Sequence, residues 1–226
     1  MALTSIEGDC YNREHSTPQS WFSSASPMVS DAHHIFPTDG KVNGMRNNYP
    51  YGEVTSATFT SLNGGKLGTG INNFGYTSTV FEPINEYKGD FARAALYMAV
   101  RYEDQIISQN WSNKGNGDDV FLSTADEPIA ATRQLQIYDD WFIKLLYKWH
   151  TQDPVSQKEI DRNNVIYAQL ITDGASTKKQ GNRNPFIDHP EFVAAIWGSS
   201  CLSVLPVTII DFTAQKNNNA ALLNWK

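Results

Sequence analysis

Apolar residues recur at helical spacing in two long stretches of the chain, and both stretches are predicted to be core helices. The first stretch is residues 89–107, in which the recurring positions are Phe91, Ala95, Met98 and Tyr102. The second stretch is residues 135–150. Its apolar face consists of Leu135, Tyr138, Phe142, Leu145, Leu146 and Trp149. A helix with one apolar face packs that face against other elements, so we expect both to form the scaffold of the core.

Shorter patterns predict further elements around this scaffold. A third helix is expected to start at Asp153-Pro154, as N-cap and first-turn proline, and to run to about Leu170. Residues 32–36 predict a short strand, after which Thr38 or Asp39 caps a helix that runs to about residue 47.

The remaining segments are poorer in apolar residues. Residues 50–81 are rich in Thr, Ser, Asn and Gly and are predicted to be a surface excursion with one or two hairpins. Residues 171–180 are predicted to be an exposed loop, and a short helix is expected within 181–197. From Leu202 the tail alternates apolar and polar residues like strands.

Length and patterning predict one main domain, residues 1–200, followed by a β-like tail, residues 201–226. Two strands alone bury little apolar surface, so the tail is interpreted as the start of a truncated C-terminal domain or sorting region. No apolar run is long enough to span a membrane, and no signal peptide is visible. Cys10 and Cys201 form either one disulfide or two unrelated thiols; spacing does not decide between them.

The net charge of −6 argues against a nucleic-acid partner, because phosphate contacts need Lys and Arg. A local basic groove is what matters for such contacts, however, so the total charge excludes little. Seven cations are candidates to line such a groove: Lys41, Arg46, Lys66, Lys88, Arg93, Arg162 and Arg183.

Residues 13–50 concentrate the groups that metal-assisted phosphodiester cleavage requires. His15 is the candidate general base, because a neutral imidazole accepts a proton near physiological pH. Glu14 and Asn43 offer hard oxygen ligands, which suit Mg²⁺. Zinc bound through His15, His33 and His34 is the alternative metal site, and a purely structural His15 is the alternative role.

Two further observations qualify this site. Arg46 lies three residues after Asn43, hence on the same helical face, where it can hold a phosphate with both guanidinium nitrogens. A solvated arginine, or a salt bridge to Asp31 or Asp39, is the competing interpretation. Because neighbouring strand residues point to opposite faces, only one of the two consecutive residues 33–34 is expected to face the site.

Five ordered blocks of sequence carry a resemblance to a known family. They are REHSTPQSW (13–21), DAHHIFPTDGKVNGMRNNYPYGEV (31–54), KGDFARAALYMAVRY (88–102), KWHTQDPVSQKEIDRNN (148–164) and QGNRNPFIDHPE (180–191). In this order they resemble the bacterial endonuclease I family, which are non-specific nucleases of the ββα-metal (His-Me finger) class. The resemblance implies an α+β fold, with a ββα-metal core surrounded by helices.

The resemblance also implies roles for individual residues. His15 matches the general base, and Glu14 and Asn43 match the ligands of Mg²⁺, for which Ca²⁺ or Mn²⁺ can substitute. Three further positions, Arg46, Asn48 and Arg183, match residues expected to bind phosphate or to support the site. His33 matches a supporting histidine that precedes the metal-binding helix.

The implied activity is sequence-non-specific hydrolysis of DNA, and also of RNA, to 5′-phosphate and 3′-hydroxyl ends. A secreted or periplasmic monomer that contacts nucleic acid and no membrane is expected. Two departures stand out: the N-terminal helical region of the family is missing, and residues 170–179 resemble an insertion. A non-catalytic nucleic-acid-binding or inactive fragment, and a metal-binding structural domain, therefore remain rival interpretations.

Overall fold

The candidate residues lie in a strand–strand–helix unit near the start of the chain. The structure, a computed structural model, describes residues 6–122, 137–173, 176–202, 212–217 and 220–225. Strand β1 (Tyr11–His15) pairs antiparallel with β2 (Ile35–Asp39), and helix α1 (Gly40–Arg46) follows directly. The Asp39 carboxylate accepts hydrogen bonds from the backbone N–H groups of Lys41 and Val42, which confirms one of the two predicted helix caps.

The strand predicted at residues 32–36 begins later than expected. Ala32–His34 forms a turn of 3-10 helix, and β2 starts only at Ile35. The reason is a local cap that sequence periodicity did not indicate: the Asp31 carboxylate accepts a hydrogen bond from the backbone N–H of His33 at 2.9 Å.

Residues 50–81 form the predicted hairpins, but they also contribute to the core, so the prediction of a surface excursion was wrong. The segment forms an antiparallel sheet in the order β3 (Val54–Thr60), β4 (Lys66–Gly70), β5 (Thr79–Glu82). Its inward side chains Leu67 and Phe81 are buried and join the main hydrophobic cluster.

The two periodic stretches form the predicted core helices, with changed ends. The first stretch forms two helices, α2 (Lys88–Arg101) and α3 (Glu103–Ser108), because Tyr102 leaves helical geometry at φ −123° and ψ 22°. The second forms α4 (Asp140–Gln152), which packs against α2. Its predicted apolar face is buried from Tyr138 to Trp149, whereas Leu135 lies outside the described residues.

The predicted start of the third helix was wrong. Helix α5 (Gln157–Ala168) begins after Ser156, whose hydroxyl accepts from the backbone N–H of Glu159 while the Glu159 carboxylate accepts from that of Ser156. This reciprocal capping box satisfies donors that a start at Asp153 would leave unpaired. Asp153 instead ends α4, and its carboxylate accepts from the N–H of Gly89 at 2.8 Å.

The C-terminal part contains a hairpin where a loop was expected. Strand β6 (Ile171–Asp173) pairs with β7 (Ser176–Lys178), and two helices follow, α6 (Pro185–Asp188) and α7 (Glu191–Leu202). The tail forms the antiparallel strands β8 (Phe212–Asn217) and β9 (Ala220–Trp225).

The mixture of helices with antiparallel sheets confirms the α+β class. In the part of the chain that is described, no helix is both long enough and apolar enough to cross a membrane. The predicted division at residue 200 falls inside α7 and stays a prediction. The pairing of Cys10 also stays open, because Cys10 is exposed and the side chain of Cys201 lies outside the described residues.

Candidate active site

The imidazole of His15, the last residue of β1, is held in one tautomer by two hydrogen bonds. Its Nε2 lies 3.0 Å from the carbonyl oxygen of Val29, and its Nδ1 lies 3.1 Å from the amide nitrogen of Gln19. A carbonyl oxygen only accepts, so Nε2 carries the proton; in the neutral ring Nδ1 then presents a lone pair, to which Gln19 donates. His15 is half-buried, and its Nδ1 lone pair is occupied by Gln19.

Glu14 points to the other side of β1, as strand alternation predicts, and its carboxylate is buried with 5 % of the residue exposed. Burial raises the pKa of this carboxyl, while the Arg46 guanidinium and the Tyr51 hydroxyl act in the opposite direction. Tyr51 donates to Oε1 at 2.7 Å, and Arg46 contacts the same oxygen at 2.8 Å. Both contacts converge on Oε1, and Glu14 lines a cavity.

Arg46 is a buried clamp that joins Glu14 to the backbone of the strand end. Its side chain is 3 % exposed and donates to the carbonyl oxygens of His15 and Ser16 at 3.0 and 2.9 Å. The guanidinium also lies 4.5 Å from the centre of the Tyr51 ring. The competing interpretation, a salt bridge to Asp31 or Asp39, was wrong, because the guanidinium pairs with Glu14. These contacts fit a positioning role, and the predicted contact with phosphate stays a prediction.

Asn43 and Glu14 line the same cavity, whose volume is about 600 Å³. The Asn43 amide nitrogen lies 3.4 Å from the carbonyl oxygen of Arg13, so its Oδ1 is the atom left to accept or to ligate. Two hard oxygens, one already balanced by Arg46, fit a Mg²⁺ that keeps several waters and is completed by substrate phosphate. Among the described residues, no group of three His, Cys, Asp or Glu side chains is placed to hold a metal.

The two adjacent histidines are both buried but have different surroundings. His33 lines the Glu14 cavity, and its Nε2 donates to the carbonyl oxygen of Asn182 at 3.1 Å. His34 does not line that cavity; its Nε2 donates to Met28 and its ring meets His15 edge-on at 5.3 Å. Burial lowers the pKa of both histidines, that of His34 to about 4. The expectation that one of the pair faces the site and the other packs in the core agrees with this placement.

The structure does not bring the other two predicted support residues to the Glu14 cavity. Asn48 lies beside Ser20 and Asn116, at 3.4 and 3.3 Å. Arg183 forms a forked ion pair with Asp188, both contacts being 2.6 Å. Their roles stay predictions.

Sequence reasoning missed three groups of the site, namely Tyr51, Gln19 and the Val29 carbonyl. Gln19 and Tyr51 lie inside the quoted motif blocks, four residues after His15 and one residue after Pro50, but their residue types alone do not point to a role. A backbone carbonyl has no sequence pattern at all. Outside the Glu14 cavity, the Asp31 carboxylate accepts from the hydroxyls of Tyr97, in α2, and Tyr102, which follows α2.

Comparison with known proteins agrees with this architecture. The sequence model of the Endonuclease I family matches residues 2–191. The chain is 34 % identical over 192 residues to a protein named extracellular ribonuclease from Bacillus amyloliquefaciens. This match covers 83 % of this chain and 54 % of the relative. It is 33 % identical to the protein of the same name from Bacillus subtilis, over 83 % of this chain and 54 % of the relative. It is 26 % identical to a periplasmic deoxyribonuclease of Aeromonas hydrophila, over 71 % of this chain and 48 % of that protein.

An α+β chain with a strand–strand–helix site at its N-terminal end is thus matched along most of its length. The chain belongs to the endonuclease I family. It spans about half the length of the curated relatives that it matches.

Proposed function

We propose that the protein is a metal-dependent, sequence-non-specific endonuclease that hydrolyses phosphodiester bonds of DNA and RNA. The observation that carries the proposal is the fixed tautomer of His15, in which Nδ1 presents a lone pair to the Gln19 amide. Family membership supports it, and the names of the relatives, ribonuclease and deoxyribonuclease, favour both substrates. Their names also favour a secreted or periplasmic location. We expect a monomer to act.

His15 would serve as the general base. Its Nδ1 accepts a proton from a water molecule, and the Nε2–H bond to Val29 keeps the ring oriented as positive charge develops. Gln19 occupies this lone pair in the structure, so its amide must move aside for the water. The water oxygen forms a bond to phosphorus and the bond from phosphorus to the 3′-oxygen breaks. The 3′-oxygen takes a proton from solvent water, which leaves 5′-phosphate and 3′-hydroxyl ends.

Glu14 and Asn43 would hold the Mg²⁺. When bound, Mg²⁺ supplies positive charge to the phosphate and to the departing 3′-oxygen. Arg46 and Tyr51 both contact Glu14 Oε1, which fixes the orientation of this carboxylate beside the cavity that it lines. Arg46 also binds the carbonyl of His15, so the same side chain positions the metal ligand and the strand end that carries the base.

The test is cleavage of plasmid DNA and of a structured RNA with Mg²⁺, with a chelator, and by His15→Ala. His189→Ala is the matched control, because His189 is exposed and contacts only Glu191 and Phe192 in its own neighbourhood. We expect cleavage that the chelator and His15→Ala both abolish and that His189→Ala retains.

Two outcomes would overturn the proposal in different ways. A folded chain that binds nucleic acid but never cuts it, across several divalent metals, would be a binding module or an inactive fragment. A chelator that lowers the melting temperature strongly would indicate a structural metal instead, because such a metal contributes directly to folding.

A further inference from the structure

A second cavity, of about 640 Å³, lies on the side of the chain where the segment 27–32 meets the hairpin β6–β7. Three cations line it: Arg101 from the end of α2, Lys178 from β7, and Lys179 just after β7. Three amide side chains line it as well. They are Gln169, Gln180 and Asn182. We call this cavity the Lys178 groove.

The cations of the Lys178 groove are available for a ligand. Within the described part of the chain, none of Arg101, Lys178 and Lys179 forms an ion pair with a carboxylate. The three residues are exposed. The carboxylate that lines the groove, Asp31, is buried and accepts hydrogen bonds from Tyr97, Tyr102 and Gln180, so it offers the cations no free partner.

The cations expected from sequence to line a groove are mostly engaged elsewhere. Lys88 pairs with Glu82, Arg93 with Glu159, and Arg183 with Asp188.

The cavity beside Glu14 has the opposite charge balance. Its lining includes five carboxylates, of Glu7, Glu14, Asp39, Asp90 and Glu159, against three cations, of Arg46, Lys158 and Arg162. Beyond the one phosphate that a bound Mg²⁺ would hold, further phosphates would be repelled by these carboxylates, whereas the excess positive charge of the Lys178 groove would attract them.

The Lys178 groove also shares a wall with the base. The carbonyl of Val29 holds Nε2 of His15, and the next residue, Ser30, lines the groove. Adjacent Cα atoms are about 3.8 Å apart, and one nucleic-acid strand advances about 3.4 Å per nucleotide. A strand that passes His15 therefore needs only a few further nucleotides to reach the edge of the groove at Ser30.

We propose that the Lys178 groove binds the phosphodiester backbone of the nucleic-acid strand that extends from the His15 site. This inference rests on the proposed function. It assigns to β7 of the hairpin and to the residue that follows it the task of supplying two of the cations that contact the phosphates. Contacts of this kind recognise phosphates and not bases, which agrees with cleavage that ignores sequence.

The test compares the double variant K178Q/K179Q with K114Q/K144Q, which removes the same charge at two lysines that line neither cavity. Binding of a fluorescent oligonucleotide without terminal phosphates is measured by anisotropy with a chelator present, so that nothing is cleaved. We expect K178Q/K179Q to bind about three- to tenfold more weakly and the control to bind like the parent protein. The slope of log affinity against log salt concentration should become less negative by about 1.4 to 1.8. Two phosphate contacts are lost, and each contributes about 0.7 to 0.9 to this slope.

Cleavage separates this proposal from the proposed function. With Mg²⁺, K178Q/K179Q should lose activity on long substrates through KM and keep the parent activity on a dinucleotide, whose single phosphodiester is the one that is cleaved. Equal binding and equal salt slopes for the two double variants would overturn the groove, whether or not the parent protein cleaves. If inorganic phosphate displaces the oligonucleotide at a concentration similar to that of the oligonucleotide, the proposal of a backbone-binding groove is overturned as well. Such a result indicates a site for a free anion. A parent protein that binds through Lys178 and Lys179 yet never cleaves would support the groove and refute the nuclease.

Discussion

Removing Arg46 should destabilise the fold far more than removing an exposed arginine. In Arg46→Ala the protein loses an ion pair at 2.8 Å, two hydrogen bonds to carbonyl oxygens at 3.0 and 2.9 Å, and a ring contact with Tyr51. Both ionic partners are almost fully buried, at 3 and 7 % side-chain exposure, so Glu14 would remain as a buried charge without its cation. Breaking a buried pair in this way costs about 3–5 kcal/mol, a large share of the 5–15 kcal/mol typical of a folded domain.

The free energy of unfolding from urea titrations of Arg46→Ala measures this loss directly. Arg101→Ala is the control, because Arg101 is exposed and its removal should change stability by about 0.5 kcal/mol or less. The double variant Glu14→Gln/Arg46→Ala adds a second readout. Since Gln carries no charge that would remain buried without a partner, the double variant should be more stable than Arg46→Ala alone by about 1 kcal/mol or more.

Two results would refute this reasoning. A loss below about 1 kcal/mol in Arg46→Ala would mean that water reaches the carboxylate and replaces the guanidinium. Additive effects of the two substitutions would mean that the short contact between Arg46 and Glu14 contributes no coupling.

Two further predictions concern the helices that surround the site. Ser156→Ala should lower the unfolding free energy by about 1 kcal/mol, because it removes the hydroxyl half of the capping box with Glu159. Ser156→Thr should restore the lost stability. An unchanged urea midpoint in Ser156→Ala would contradict the capping role. Burial, and next the Glu159 carboxylate, raise the pKa of Asp90 to about 7. The folded state then binds more protons than the unfolded state between about pH 4 and pH 7, so stability should fall as pH rises through that window, and Asp90→Asn should remove the fall; parallel pH–stability curves for parent and variant would refute it.

The parts of the fold that the sequence predicted well are those decided within one element. Periodic apolar positions located α2 and α4, and the carboxylate of Asp39 located the start of α1. Errors arose where a distant contact overrides local pattern. Tyr102 continues the helical period, yet its hydroxyl donates to Asp31, 71 positions away, and the helix breaks there. The start of α5 is a different error, since the Ser-x-x-Glu pattern was present in the sequence and was passed over for Asp-Pro.

The candidate site divides in the same way between residue types and their partners. The adjacent Glu14 and His15, with Asn43 on a following helix, could be selected from the sequence because the chemistry restricts which side chains can act. Their partners could not, because what holds them is mostly backbone brought in by chain reversal: the Val29 carbonyl fixes the base, and the carbonyls of His15 and Ser16 hold Arg46. Arg46 shows the consequence. Its residue type and helical face predicted a phosphate contact, but neither predicted that its guanidinium would be buried against Glu14 and these carbonyls.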